Sequence, residues 1–324
     1  EIDYTEWQTL RRYPILNWNM GMTYRLRERD ERVYPQGELA RRTIGQVGDK
    51  GNYGVEYVLR DVLEGRDGKA RRQRIARGFY GRVVGGDNSE PEDGLDVVTT
   101  LDLEMQDVAD RALRRQLEAQ NALWGTALVM EVATGDLLAM ANLSRTKSGA
   151  YAEVKNHALS SRMEPGSTFK LAALLALVDD AGMSLDETFD TGNGARVKVG
   201  RTTVQDSHGL PPLNLKDAVA HSSNVFFARA VYETYKDDPE RYVDYLRHLH
   251  LDRTVGLEEF GAVAPIFPAP GMKIWYPDVS IVNMGYGYAI ELTPLHTLTL
   301  YNAVANDGCM VAPRLVREIR RGGE

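Results

Sequence analysis

The amino-acid sequence predicts an α+β fold, a mixed domain in which helices flank an antiparallel sheet. Residues 127–132 and 137–141 are apolar runs of strand length, and residues 133–136 between them are turn formers, which is the pattern of a β-hairpin. Helical patterns lie on both sides of this hairpin. Hydrophobic residues make up 43% of the chain and charged residues 26%, as in an ordinary folded protein.

Each predicted helix has a recognisable cap or face. Asp102 can cap a helix over residues 103–120, because its carboxylate can accept a backbone N–H of the first turn. Residues 167–178 are apolar on nearly every side, which predicts a helix at the centre of a domain. Thr293 precedes a proline that fits a first helical turn, and this helix should end near Asn306. Three more helices are predicted at residues 215–221, 225–235 and 241–249.

Charge and composition change near residue 95. The first 95 residues carry 17 Lys and Arg against 16 Asp and Glu, whereas the rest carries 22 against 30. The first part is also rich in glycine and arginine, which suits an extended module of short strands and loops. Residues 85–94 are turn formers and acids, which predict a linker or surface loop. We therefore expect a smaller N-terminal module at residues 1–95 and a second domain at residues 96–324.

Composition excludes several classes of protein. The single cysteine, Cys309, excludes an internal disulfide framework and a cysteine-rich metal cluster, and its apolar neighbours favour a place in a strand or core. A net charge of −7 argues against general affinity for nucleic acid. The longest apolar run, residues 171–178, is far shorter than the ~20 residues that span a bilayer. Because the chain starts at Glu1 without a methionine, we expect it to be a piece of a longer one.

The strongest chemical signal is Ser167 followed by Lys170 at the start of the apolar helix. Residues three apart lie on one helical face, so the amine can reach the hydroxyl. Serine becomes a good nucleophile when a base removes its proton. Lysine can serve as that base if burial lowers its pKa towards neutrality. Taken alone, this spacing is common by chance and favours a capping serine and a solvated lysine.

A second signal follows 55 residues later, at Ser222-Ser223-Asn224. A turn of this composition between two apolar helices offers a hydroxyl for proton transfer and an amide that can bind a carbonyl group or the lysine. It could also be an ordinary polar turn, but the joint occurrence of both motifs favours a catalytic site. For Asp206-Ser207-His208, by contrast, we expect structural hydrogen bonding rather than a metal site.

With these motifs the chain resembles the class B penicillin-binding proteins, which are serine D,D-transpeptidases that cross-link peptidoglycan. The resemblance covers essentially the whole chain, and further segments match the family in the right order. They are Arg42-Thr43-Ile44-Gly45 and Gly54-Val55-Glu56-Tyr57, Val98-Thr99-Thr100-Leu101-Asp102 with Gln106, Ala133-Thr134-Gly135-Asp136, and Met284-Gly285-Tyr286-Gly287 with Leu292-Thr293-Pro294-Leu295. The first of these segments and residues 301–306 look most like the cell-division, or septal, branch.

The resemblance implies the penicillin-binding transpeptidase fold, with a non-catalytic pedestal or dimerisation-type module at residues 1–95 and a transpeptidase domain at residues 96–324. It assigns Ser167 as the nucleophile, Lys170 as its base, Ser222 as a proton relay and Asn224 as a further catalytic residue that also binds substrate. It implies no cofactor and no metal. The implied partners are D-Ala-D-Ala stem peptides, β-lactams, a membrane glycosyltransferase and division proteins, at the periplasmic side of the bacterial envelope, where a preceding helix would anchor the protein to the inner membrane.

One family element has no match in the expected place. The family carries a third motif, K-[ST]-G, on a strand well after the T-P-L helix, and nothing of this kind follows Pro294. Lys147-Ser148-Gly149 spells the motif but lies 18 residues before Ser167, so we interpret it as a loop coincidence. We expect the chain to end before the third motif, which in the family contributes a contact to the substrate carboxylate and part of the oxyanion hole.

Three other functions share part of this pattern. Serine β-lactamases share both motifs, but no E-x-x-L-N segment for the deacylating glutamate follows Asn224. A β-lactam sensor would not be expected to carry this N-terminal module. An elongation-type class B transpeptidase stays open as the alternative to the septal type.

Overall fold

A computed structural model describes residues 6, 9, 10, 12, 13, 33–48, 51–69, 72–76, 79–82 and 89–322. The chain divides into two compact units, Glu1–Gly37 and Glu38–Glu324. Few residues of the first unit are described, whereas most of the second unit is. The division expected at residues 95 and 96 stays a prediction.

The first elements of the second unit are short, in keeping with the composition of this part of the sequence. They are α1 (Arg41–Ile44), α2 (Gly54–Val58), α3 (Arg60–Leu63), β1 (Arg72–Ala76), β2 (Phe79–Arg82) and β3 (Asp96–Thr99). Strands β1 and β2 form an antiparallel pair. Of the segment expected to be a linker, residues 85–88 lie outside the described residues, while Ser89 and Glu92 form exposed bridges with Lys69 and Arg66.

The predicted helix follows with the bounds expected from the sequence, and after it the predicted hairpin, whose first strand begins and ends earlier than expected and whose second strand is longer. The elements are α4 (Leu103–Gln120), β4 (Trp124–Met130), β5 (Leu137–Arg145), β6 (Tyr151–Ala152) and α5 (His157–Ser160). Strands β4, β5 and β6 form an antiparallel sheet in that order. As predicted, Asp102 caps α4 by accepting the N–H of Met105 at 2.9 Å. Buried Gln106 on α4 accepts the N–H of Met140 on β5 at 2.7 Å, so the helix is fixed to the sheet.

The larger, helical part of the unit contains α6 (Lys170–Leu175), β7 (Thr188–Phe189), β8 (Val197–Val199), β9 (Thr202–Val204), β10 (Leu213–Asn214), α7 (Leu215–Ala220), α8 (Asn224–Tyr235), α9 (Pro239–His248), α10 (Ser280–Met284), α11 (Pro294–Ala305) and β11 (Val316–Arg320). All the helices predicted from the sequence are present. The main apolar core lies here, around α6 and α8. Helices packed with antiparallel sheets confirm the predicted α+β fold.

The central helix departs from the regular form expected over residues 167–178. It begins as a 3₁₀ turn at Gly166–Phe169 and ends as a π turn at Ala176–Asp180. At the π turn the carbonyl oxygen of Ala176 accepts two hydrogen bonds, one from the N–H of Ala181 and one from Tyr235 Oη at 2.8 Å. A π turn inside a helix is a common feature near functional sites.

Contacts between residues far apart in sequence join the C-terminal strand β11 to β3 and to the hairpin. Strand β11 pairs antiparallel with β3. Asp136, in the tight turn between β4 and β5, is buried and forms ion pairs with Arg314 and Arg317. The hydrogen bond from Arg314 lowers the pKa of Asp136, so the carboxylate stays charged. The hairpin is thereby fixed to the segment around β11.

Two further observations concern the exposure of Cys309 and the length of the apolar helices. Cys309 is exposed, so the expected strand or core position is wrong: it follows the turn that ends α11, where its carbonyl oxygen accepts a hydrogen bond from Asn306. Among the described residues, the structure contains no helix with both the length and the apolar character needed to cross a membrane.

Candidate active site

The nucleophile candidate Ser167 sits in the 3₁₀ turn that opens the central helix. Gly166 has a φ of +55°, a conformation that glycine adopts without strain. This turn leaves Ser167 exposed and directs Lys170 inward, where it is only 5% exposed. Lys170 Nζ lies 3.1 Å from Ser167 Oγ, which is hydrogen-bond distance. The predicted contact between the two side chains is therefore present.

The turn before α8 completes the site. Ser222 has a φ of +52°, unusual for a residue other than glycine, and both its carbonyl oxygen and its Oγ face the lysine. Lys170 Nζ lies 2.5 Å from that carbonyl oxygen, 3.0 Å from Ser222 Oγ and 2.7 Å from Asn224 Oδ1. The structure thus brings together all four residues singled out by the sequence.

This arrangement orients the lone pair of the amine. The Ser222 carbonyl and the Asn224 Oδ1 atom can only accept hydrogen bonds, so each requires an N–H of Lys170. A neutral amine has two N–H groups, and both are used in this way. Its lone pair is then left for the hydroxyls of Ser167 and Ser222, the two groups that can donate to it.

Burial allows Lys170 to lose its proton and become a neutral amine near physiological pH. Removal of Lys170 from water lowers its pKa to about 8, and the negative charge of Asp206 acts in the opposite direction. The surroundings of Lys170 are apolar: Phe169, Ala172 and Ala173 beside it in sequence are buried, and the ring of Phe227 lies 5.9 Å from Nζ. Lys170 can therefore act as a base without an adjoining carboxylate.

Asp206 supports the second motif from behind. Its Oδ2 accepts the hydroxyl of Ser223 at 2.7 Å, and its Oδ1 accepts the backbone N–H groups of Asn224 at 2.5 Å and Val225 at 3.1 Å. The structural hydrogen bonding expected for this segment is confirmed at Asp206. No set of three or more His, Cys, Asp or Glu side chains in the described ranges is placed to hold a metal ion.

Sequence reasoning assigned no role to Gly287, which lies against the nucleophile turn. Gly166 N donates to the Gly287 carbonyl oxygen at 2.9 Å. Gly287 has a φ of +89°, and a Cβ atom at this position would overlap the carbonyl oxygen of Gly166. The glycine of the Gly-Tyr-Gly segment was the feature of the sequence that could have indicated this contact. Its partner, Gly166, lies 121 residues away in sequence.

Other long-range contacts hold the same turn. Met163 forms an antiparallel bridge with Leu292. Glu164 Oε1 accepts the N–H of Ala289 at 3.0 Å, and Tyr301 Oη donates to the carbonyl oxygen of Thr168 at 3.0 Å. The segment that precedes α11, together with α11 itself, thus fixes the backbone on both sides of Ser167.

Comparison with known proteins identifies the family. The model described as "Penicillin binding protein transpeptidase domain" matches residues 125–321, which include all four site residues. The chain belongs to the class B penicillin-binding proteins.

Several relatives are similar over most of this chain. Penicillin-binding protein PbpB of Mycobacterium tuberculosis is 30% identical over 305 residues, which cover 89% of this chain and 43% of the relative. The probable peptidoglycan D,D-transpeptidase PenA of Neisseria meningitidis is 27% identical, covering 87% of this chain and 48% of the relative. The crystal structure of penicillin-binding protein 3 from M. tuberculosis complexed with aztreonam has a TM-score of 0.74 at 27% identity, covering 91% of this chain and 62% of that structure. The chain spans less than half the length of these two curated relatives.

Lys147-Ser148-Gly149, the segment that spells the third motif of the family, lies in a surface turn. Thr146 Oγ1 donates to the carbonyl oxygen of Ala150 at 2.9 Å and closes this turn. All three residues are exposed, and none contacts Lys170. The interpretation of this segment as a loop coincidence agrees with that placement.

We predict that Gly287→Ala will slow acylation of Ser167 by a penicillin about 10- to 100-fold. The added methyl group must displace Gly166, and small displacements of a reacting group have effects of this size. Gly271→Ala is the matched control, because Gly271 has a similar φ of +83° but no atom within 4 Å of the Cβ position. Rates with one fluorescent penicillin decide the matter, and equal rates for the two variants would contradict the positioning role of Gly287.

We predict that Lys147→Ala will acylate within about threefold of the wild-type rate, as expected for a substitution on an exposed turn. The same labelling assay measures this. A loss of about a hundredfold would mean that Lys147, rather than a lysine elsewhere, forms a wall of the active site.

Proposed function

We propose that this protein is a peptidoglycan D,D-transpeptidase that works through an acyl-enzyme at Ser167. The observation that carries the proposal is the contact of the buried Lys170 amine with Ser167 Oγ at 3.1 Å, inside a penicillin-binding transpeptidase domain. A base positioned in this way turns a weak serine nucleophile into an effective one.

Acylation begins with proton transfer to Lys170. As Ser167 Oγ attacks the carbonyl carbon of the penultimate D-alanine, its proton passes to the lone pair of the amine. The C–O bond forms and the carbonyl oxygen becomes an oxyanion. The backbone N–H of Ser167 is one donor for this charge, and the resemblance assigns another to the K-[ST]-G strand. A single oxyanion donor contributes about 2.7–4 kcal/mol to lowering the barrier.

Ser222 links the lysine to the leaving group. Its Oγ lies 3.0 Å from Lys170 Nζ, so it can receive a proton from the ammonium and pass its own to the leaving nitrogen. The C–N bond then breaks, terminal D-alanine departs as a neutral amine, and the stem peptide remains as an ester of Ser167. An amine from a neighbouring stem attacks this ester, forms the cross-link and returns the proton to Ser167 through Lys170.

Asn224 serves both the lysine and the substrate. Its Oδ1 accepts from Lys170 at 2.7 Å, which leaves the Nδ2 group to donate to a backbone carbonyl of the donor peptide. Replacement by aspartate would change the charge beside the amine, so the amide suits both tasks.

β-Lactams are proposed as inhibitors that acylate Ser167. Structures of the M. tuberculosis protein are complexes with aztreonam and with ampicillin, and the latter has a TM-score of 0.75 to this chain. A β-lactam carbonyl would be attacked in the same way, with opening of the ring in place of departure of D-alanine.

The proposed setting is the division septum. It is supported by the likeness of Arg42-Thr43-Ile44-Gly45 and residues 301–306 to the septal branch. In that setting the protein works at the periplasmic side of the inner membrane, with a membrane glycosyltransferase and division proteins as partners. The septal and elongation types can be separated by producing the protein in cells depleted of either the septal or the elongation enzyme and measuring in which of them peptidoglycan cross-linking is restored.

We predict that a fluorescent penicillin will label the full-length protein at Ser167, and that Ser167→Ala will abolish labelling. Lys170→Ala should be nearly as damaging, because no other base contacts Ser167 in the described part of the chain. Since the reactive amine is neutral, the wild-type rate should rise with pH through about 8, the pKa of Lys170. Ser148→Ala, on the exposed turn, is the control. Labelling of the Ser167→Ala protein at another serine would disprove the assignment.

A further inference from the structure

Asp206 is a buried carboxylate in the loop after β9, behind the active-site turn. It is 6% exposed, and none of the proposed catalytic steps uses it. Among the described residues, no arginine, lysine or histidine forms an ion pair with it. Its hydrogen-bond partners are the Ser223 hydroxyl and the backbone N–H groups of Asn224 and Val225, all at the start of α8.

These bonds determine where the second motif lies. Ser223 is completely buried, and its hydroxyl donates to Asp206 while accepting the N–H of Phe226 at 3.0 Å, so its hydrogen-bonding capacity is committed. With Ser223 and Asn224 N fixed to one carboxylate, the residues on either side of Ser223 have little freedom. Ser222, which has the positive φ, and the Asn224 side chain are the two that touch Lys170.

The charge of Asp206 also reaches the lysine. It favours the ammonium form of Lys170, while burial favours the neutral amine. Other ionisable groups near the nucleophile turn are engaged elsewhere: Glu164 accepts from the N–H of Ala289, and Tyr301 donates to the carbonyl oxygen of Thr168. The negative charge of Asp206 thus opposes the effect of burial on this amine.

We propose that Asp206 is a positioning residue of the acylation reaction: its carboxylate fixes the Ser222–Asn224 turn against Lys170 and holds a negative charge directly behind Asn224, the residue that contacts the amine. The inference rests on the proposed function of this site. The two roles have separable consequences. Loss of the hydrogen bonds lowers the rate at every pH, whereas loss of the charge moves the pH range over which the rate rises.

Asp206→Asn tests the charge with little change of shape. Its acylation rate with a fluorescent penicillin, measured from pH 5 to 10 in the full-length protein, should show a rise displaced to lower pH. The displacement should be about 0.5–1 pH unit, at the lower end of what a nearby opposite charge produces. The plateau at high pH should fall about 10-fold, because the turn loses part of its support. Asp217→Asn, an exposed aspartate on α7, removes the same charge elsewhere and should change neither quantity.

Ser223→Ala tests the hydrogen bond without the charge. It should lower the plateau and leave the rise at the wild-type pH. A rise at the wild-type pH in Asp206→Asn, or an equal displacement in Ser223→Ala, would overturn the electrostatic role and leave Asp206 a structural residue.

The titration of ¹³C-labelled Lys170 followed by NMR in wild type and Asp206→Asn supplies a readout that needs no acylation. A lower midpoint in the variant supports the inference, and equal midpoints overturn it. If the wild-type protein fails to react with penicillin, the proposed function fails, while this titration still decides the role of Asp206.

Discussion

The site depends on a lysine amine that is buried among neutral acceptors instead of being paired with a carboxylate. Lys170 Nζ contacts two hydroxyls, a backbone carbonyl and a side-chain amide, and its pKa is lowered to about 8 by burial. A downward displacement of this size from the ordinary value corresponds to about 3 kcal/mol in favour of the neutral form. An adjoining carboxylate would pair with the amine and cancel this effect. The neutral acceptors satisfy its N–H groups and still leave a lone pair for the serine.

The fold holds both parts of the site in place, the turn with Ser167 and Lys170 and the turn with Ser222 and Asn224. The helix that carries Ser167 and Lys170 lies in the main apolar core beside α8, which carries Asn224. The backbone around Ser167 is fixed by Gly287 and by Leu292, through hydrogen bonds of 2.9 Å in each case, while Asp206 fixes the start of α8. The two motifs lie more than 50 residues apart, so tertiary packing, not local sequence, sets the distances from Lys170 to Ser222 and Asn224. In a rigid site of this kind the hydrogen-bonding groups are oriented before the substrate binds.

The sequence could predict what depends on short-range patterns. The i, i+3 spacing of Ser167 and Lys170 and the cap at Asp102 are local, and both were predicted. The contact of Lys170 with Ser222 and Asn224 was inferred from the pairing of two motifs and from the family resemblance, since no helical or strand period links them. The contact between Gly287 and Gly166 could not be inferred, because its requirement for glycine arises from a distant backbone. The strand or core position predicted for Cys309 from its apolar neighbours was wrong for a related reason. A hydrogen-bonded turn after α11, not hydropathy, places that residue at the surface.

The protonation state of Lys170 in the resting protein decides whether this residue can serve as the base. Specific ¹³C labelling of lysine and an NMR titration between pH 6 and 11, assigned by comparison with Lys170→Ala, would measure it directly. We predict a midpoint of about 8 for Lys170 in the unliganded wild-type protein. A midpoint near the ordinary lysine value of about 10.4 would contradict it, because the amine would then be an ammonium ion at physiological pH and could not accept the proton of Ser167.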